Sequence, residues 1–218
     1  MVRRKANRGR NRAADRIEMT GGPIILGITG SIGVGKSTTA DMFRAEGVPV
    51  WDADQAVHRL YSKGGRAVPG IQRLRPEAVV DGAVDRGVLS AWVQSDPKAL
   101  KLIEQTVHPW LTSDRAAFMH ENQADILGFD IPLLFETGAD ALADAIVVVT
   151  IGAAEQKRRV LERPGMTEEK LQLILDRQIP DSVKRQKADF VIETTSLEIA
   201  RAAVKEVIAT LRKRAANA

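Results

Sequence analysis

One eight-residue run constrains this chain more than any other feature. Gly30-Ser31-Ile32-Gly33-Val34-Gly35-Lys36-Ser37 fits G-x-x-x-x-G-K-[ST] at every position. An apolar segment, Ile24–Ile28, precedes it, and Ser37-Thr38-Thr39-Ala40 opens a helical stretch. The glycines let the backbone curl until its N–H groups face a polyphosphate, and the dipole at the helix N-terminus favours the same negative charge. Lys36 can reach the β- and γ-phosphates of a nucleoside triphosphate, and the Ser37 hydroxyl can ligate Mg²⁺. A strand, a loop and a helix in this order already point to an α/β fold.

The remainder agrees. Short, β-branched, nearly continuous apolar runs at Ile24–Ile28, Val48–Trp51, Ile126–Ile131, Ala145–Thr150 and Phe190–Ile192 predict strands covered on both faces. Helical patterns lie at Ser37–Glu46, Pro97–Val107, Ala154–Arg163, Thr167–Gln178 and Leu197–Arg214. In the last of these, Ile199, Ala203, Val207 and Leu211 form a packing stripe. Alternation of strand and helix implies right-handed crossovers and a mostly parallel sheet. The stretch 55–125 lacks good strands and reads as a helical insertion. It interrupts a core formed by 23–54 and 126–214.

Charge divides unevenly. The 218 residues carry a net charge of +4. Residues 1–18 hold seven Lys/Arg against two acids, a net +5, so residues 19–218 sum to −1. The segment 1–22 is therefore expected to be a disordered basic tail, and Met19 is a candidate for the true start. A nearly neutral body with nine aromatic residues lacks the interleaved basic and aromatic stripe of a nucleic-acid binder. A nucleotide-gated nucleic-acid binder is thus the weaker reading, and no nucleic acid is required. There is no cysteine, which excludes thiolate chemistry and suits a reducing cytoplasm. The longest apolar run, Ala145–Ile151, is far below the roughly 20 residues of a membrane helix, so no membrane partner is expected. A monomer is the default.

None of the four asparagines precedes a lysine, so the guanine-reading Asn-Lys-x-Asp of GTPases is missing. A small kinase remains, and it needs acids at strand ends and a cationic lid. Val48–Trp51 runs into Asp52-Ala53-Asp54, at the sheet edge where parallel sheets bind ligands. Either acid can cap the next helix, and Asp54 before Gln55-Ala56-Val57-His58 fits that role. The functional alternative makes Asp54 the group that receives or orients an acceptor hydroxyl. Asp130, ending the third strand, is a candidate for supporting Mg²⁺. Leu133-Leu134-Phe135 beyond it is either core or a substrate wall. The basic run at 156–163 sets Arg159 and Arg163 four residues apart, on one face of a helix, within a lid of about 154–185.

Several segments in order make the chain resemble the dephospho-CoA kinase family. They are the phosphate loop, Asp52-Ala53-Asp54, Asp81-Gly82-Ala83-Val84-Asp85-Arg86, Val107-His108-Pro109 and Asp130-Ile131-Pro132-Leu133-Leu134-Phe135-Glu136. Gln156 to Arg163, Arg177-Gln178 and Ala188-Asp189-Phe190-Val191-Ile192 complete the set. The resemblance implies a nucleoside-monophosphate-kinase-like P-loop fold, with a five-stranded parallel sheet, a helical substrate region and an arginine-rich lid. It implies ATP-dependent phosphorylation of the ribose 3′-hydroxyl of dephospho-CoA. Another small P-loop kinase, acting on a nucleoside or small hydroxyl compound, is the alternative. By the same resemblance Asp54 matches the catalytic base, Thr29, Lys36 and the loop through Thr38 contact the nucleotide, and Arg159 reaches the phosphates. His108, Leu133, Leu134 and Glu136 fall on the acceptor side. Glu193-Thr194-Thr195 stands where many members have Asn and a nearby Gly.

Overall fold

The computed structural model describes residues 22–216. The basic segment to residue 21, with Met19, lies outside the described residues. The chain divides into two compact units, one running to Trp51 and resuming at Gln123, the other Asp52–Asn122.

The first unit is built on a five-stranded sheet. Its strands are β1 (Ile24–Gly30), β2 (Val50–Asp52, whose last residue opens the other unit), β5 (Ile126–Asp130), β6 (Ala145–Thr150) and β7 (Phe190–Glu193), in the order β2-β5-β1-β6-β7. β1 pairs in parallel with β5 and β6, and β6 with β7. Every residue of β1, β5 and β6 is buried, which explains their unbroken apolarity. Successive residues serve opposite faces. Ala145, Val147 and Val149 join Ile24, Leu26 and Ile28 in one core, while Ile146 and Val148 pack with Leu134 and Phe135 in another.

Helix α1 (Lys36–Ala45) follows the phosphate loop. The last helix, Leu197–Ala215, is capped by Ser196 and buries Ala200, Ala203, Val204, Val207, Ile208 and Leu211. Its stripe therefore starts at Ala200, and Ile199 faces outward. At the amino edge, aspartates just before β6 and β7 fasten neighbouring strands. Asp144 accepts from Ile25 N at 2.8 Å, and Asp189 from Ile146 N at 2.9 Å.

The second unit begins with α2 (Ala53–Tyr61) and α3 (Val68–Leu74), followed by β3 (Val79–Val80) and β4 (Ala83–Val84). It closes with α4 (Arg86–Ser95) and α5 (Ala99–Glu121). Leu60, Ile71, Leu89, Trp92 and Ile103 sit in its core. Two features depart from expectation. The region contains a small antiparallel hairpin, turned by Asp81 (φ 51°) and Gly82 (φ 80°), the conformation Asp-Gly favours in two-residue turns. The helix expected at Pro97–Val107 continues as α5 through Pro109. A proline there removes one helical hydrogen bond. Gln105, His108, Pro109 and Trp110 all face solvent, so the carbonyl left over is open to water.

Candidate active site

Gly30, at the end of β1, is pressed against β6. A Cβ at this position would lie 2.6 Å from the Val149 carbonyl oxygen, so only glycine fits. Gly33 turns the loop at φ 77°, and Gly35, in the left-handed region at φ 88°, occupies the N-cap of α1. The loop is held by side chains from distant elements. Thr194 Oγ1 donates to the Val34 carbonyl at 2.6 Å, and Gln156 Nε2 donates to the Ile32 carbonyl at 2.8 Å. The Ile32 N–H donates to Gln178 Oε1 at 3.2 Å.

Lys36, in the first turn of α1, reaches across the sheet edge to an ion pair with Asp130 at the end of β5. Asp130 is 1% exposed, so its charge is balanced by an ammonium in a largely dry setting. Ser37 and Thr38 lie exposed beside it, whereas Thr29 is buried and donates to the Pro132 carbonyl at 3.0 Å. Among the described residues no three His, Cys, Asp or Glu side chains converge on one point. One hydroxyl and one carboxylate is nonetheless a donor set that fits Mg²⁺, which keeps waters and takes substrate phosphates as ligands.

The basic run lies on α6 (Ala153–Leu161). Arg159 Nη2 donates to the Thr194 carbonyl at 3.0 Å, and its Nε to Glu155 at 2.8 Å. Arg158 and Arg159 hold the Glu155 carboxyl at about 2, well below the usual range. Arg163 does not share the helical face expected of it. The helix ends at Leu161, and Arg163 sits exposed in the turn before Pro164, since a residue preceding proline disfavours the helical conformation. Arg159 borders a cleft of about 330 Å³ that Gly35, Thr38, Met42, Thr194 and Leu197 also line.

The Leu-Leu-Phe-Glu segment divides. Leu134 and Phe135 belong to the core, Leu133 is exposed, and the Glu136 carboxylate turns inward. Glu136 Oε1 accepts from Ile179 N at 2.8 Å and lies 2.8 Å from Lys184 Nζ, an ammonium with no exposed surface. Lys184 belongs to α8 (Asp181–Lys187), which follows α7 (Glu168–Asp176). Burial raises the Glu136 pKa, but Lys184 and the Ile179 amide outweigh it and leave a net depression. The pair's contribution to stability is therefore complete above the unfolded carboxyl value of roughly 4.3 and fades as pH falls through the lower native value. Glu136→Gln should flatten that acid limb in melts across pH. Lys184→Met, which strands the carboxylate, should cost about 3–5 kcal/mol in urea unfolding.

Two further site residues belong to the second unit. Asp52, not Asp54, caps α2, accepting from Gln55 N at 2.9 Å. Asp54 lies in the first turn, exposed and bonded to no other described residue. His108 is exposed on α5. The loop, Lys36, Asp130 and Arg159 thus come together within the first unit. Gln156, Gln178 and Thr194 join them there, and no sequence pattern had given these three a role.

The family model described as Dephospho-CoA kinase matches residues 24–198. This chain belongs to the dephospho-CoA kinase family. A dephospho-CoA kinase from Cereibacter sphaeroides is 52% identical over 193 residues, covering 88% of this chain and 98% of its own. One from Mesorhizobium japonicum is 53% identical, covering 87% and 97%. The solved dephospho-CoA kinase from Campylobacter jejuni matches with a TM-score of 0.63 at 25% identity, and a Thermus thermophilus structure with 0.80 at 35%. Each covers 87% of this chain and 97% of the other. Membership makes the chain an ATP-using kinase and agrees with its five-stranded parallel sheet. No helix among the described residues is long and apolar enough to cross a membrane.

Proposed function

We propose that this chain transfers the γ-phosphoryl group of ATP to the ribose 3′-hydroxyl of dephospho-CoA. The observation that carries the reading is the phosphate loop with Lys36 placed at its end, in a chain of this family. The loop amides and the N-terminus of α1 bind the polyphosphate. Lys36, held ready by Asp130, moves to the β- and γ-phosphates and stabilises the charge that develops on transfer. Ser37 and Asp130 would hold Mg²⁺, which supplies further neutralisation of the phosphate oxygens. The cleft beside Arg159 and Thr194 receives the nucleoside part of ATP, with Glu193-Thr194-Thr195 standing where many members of the family have Asn and a nearby Gly. Asp54 orients the acceptor hydroxyl and takes its proton late in the transfer.

ADP release with ATP and Mg²⁺ tests the reading, comparing dephospho-CoA with adenosine, pantetheine and buffer. Turnover confined to dephospho-CoA, with a 3′-phosphorylated product by mass, is expected. Turnover with another acceptor would discard the substrate and keep the kinase. Arg159→Ala should raise KM for ATP about tenfold, the scale of a lost charge-assisted hydrogen bond. The reading includes a cytoplasmic monomer that works without nucleic acid. Deleting residues 2–18 should leave kcat and both KM values unchanged, and a large rise in either KM would bring the basic segment into the reaction.

A further inference from the structure

Ile32, in the phosphate loop, has both backbone polar groups taken by glutamine side chains: its N–H by Gln178 and its carbonyl by Gln156. The glutamines come from separate places, Gln156 from α6 and Gln178 from the short segment joining α7 to α8. Three of the eight loop residues are glycine, the residue with most conformational freedom to lose when a chain is ordered. Two side-chain tethers on one residue remove much of that freedom before any ligand arrives.

The segment carrying Gln178 is itself fastened. The next residue, Ile179, donates its N–H to Glu136, which Lys184 neutralises from within the interior. Asp181 accepts from Thr150 Oγ1, at 2.9 Å to each carboxylate oxygen, at the carboxyl end of β6. Ile179 also packs against the core containing Leu134 and Phe135. Gln178 is thus presented to the loop from a backbone anchored to the end of β6 and to the segment that follows β5.

We propose that Gln178 is a positioning residue that, with Gln156, clamps Ile32 and pre-shapes the phosphate loop for ATP. The proposal deepens the kinase reading and rests on it. With both polar groups of Ile32 occupied by the protein, the phosphates are met by the other loop amides, and the clamp persists in the nucleotide complex. A loop shaped in advance binds more tightly because less ordering remains to be done on binding. Loss of the clamp weakens ATP and leaves the affinity for dephospho-CoA unaltered.

The experiment uses the full chain with Gln178→Met, Gln156→Met and the double variant; Met keeps the length of Gln and removes its polar atoms. Calorimetry with a non-hydrolysable ATP analogue and Mg²⁺ gives Kd, steady-state kinetics give the KM for each substrate, and thermal melts report on the fold. Each single variant should raise Kd and KM for the nucleotide about fivefold or more, on the scale of one hydrogen bond. KM for dephospho-CoA and the melting temperature should stay at wild-type values. The double variant should be little worse than the weaker-binding single one, because either break already frees Ile32. Unchanged or tighter analogue binding in Gln178→Met would overturn the proposal, and tighter binding would show the glutamine competing with phosphate. Losses that multiply in the double variant would overturn the clamp in favour of two independent contacts. Equal rises in both KM values with a fallen melting temperature would reduce Gln178 to a support of the fold. A wild-type protein that binds the analogue without phosphorylating dephospho-CoA would instead overturn the functional reading, while analogue affinities would still judge the clamp.

Discussion

Lys36→Met is expected to lower kcat by about 10³, the scale of losing a pre-placed charge donor at a developing oxyanion. The effect has two parts that one variant cannot separate. The ammonium is withdrawn from the phosphates, and Asp130, 1% exposed and in ion-pair contact with Lys36, is stripped of that partner. The second part lowers stability, because a charge in a dry setting loses its ion-pair partner. The double variant Lys36→Met/Asp130→Asn separates them. It should recover most of the melting temperature lost by the single variant and none of the activity. Near-wild-type kcat in Lys36→Met, measured by ADP release at saturating ATP, would sink the role given to the loop.

The sheet was readable because its strands are buried on both faces, which leaves unbroken β-branched runs such as Ala145–Thr150. The hairpin in the second unit was missed although Val79-Val80-Asp81-Gly82-Ala83-Val84 contains a two-residue turn signal. Its strands are two residues each, too short for alternation to register. The helix expected to stop at Val107 also runs on, since a proline on a solvated helix face need not end the helix. Within the site, the loop and Lys36 could be read because the chemistry demands those residue types at that spacing. Gln156 and Gln178 could not. A neutral amide in a basic, exposed-looking run gives no pattern, and its partner Ile32 is more than 120 residues away in the chain. The inward turn of the Glu136 carboxylate was no more legible, because its buried partner Lys184 lies 48 positions later in the chain.

Asp54→Asn is expected to lower kcat by about 10²–10⁴, the range for removing a general base, with KM for ATP unchanged. The fold should not suffer. Asp52 already performs the capping that sequence alone left open between the two acids, and Asp54 lies exposed in the first turn of α2 without a partner among the described residues. Asp52→Ala should show the complementary pattern, a loss of about 1 kcal/mol in urea unfolding from the missing cap. Two carboxylates two residues apart would then be separated by experiment into one that starts a helix and one that handles the acceptor. The asparagine variant also distinguishes the two ways in which Asp54 can act. An amide still orients a hydroxyl by hydrogen bonding but cannot take its proton. If proton transfer matters, Asp54→Asn should fall as far as Asp54→Ala. If orientation dominates, as a loose phosphoryl transition state favours, Asn should retain at least tenfold more activity than Ala. Wild-type kcat in both variants would remove Asp54 from the reaction.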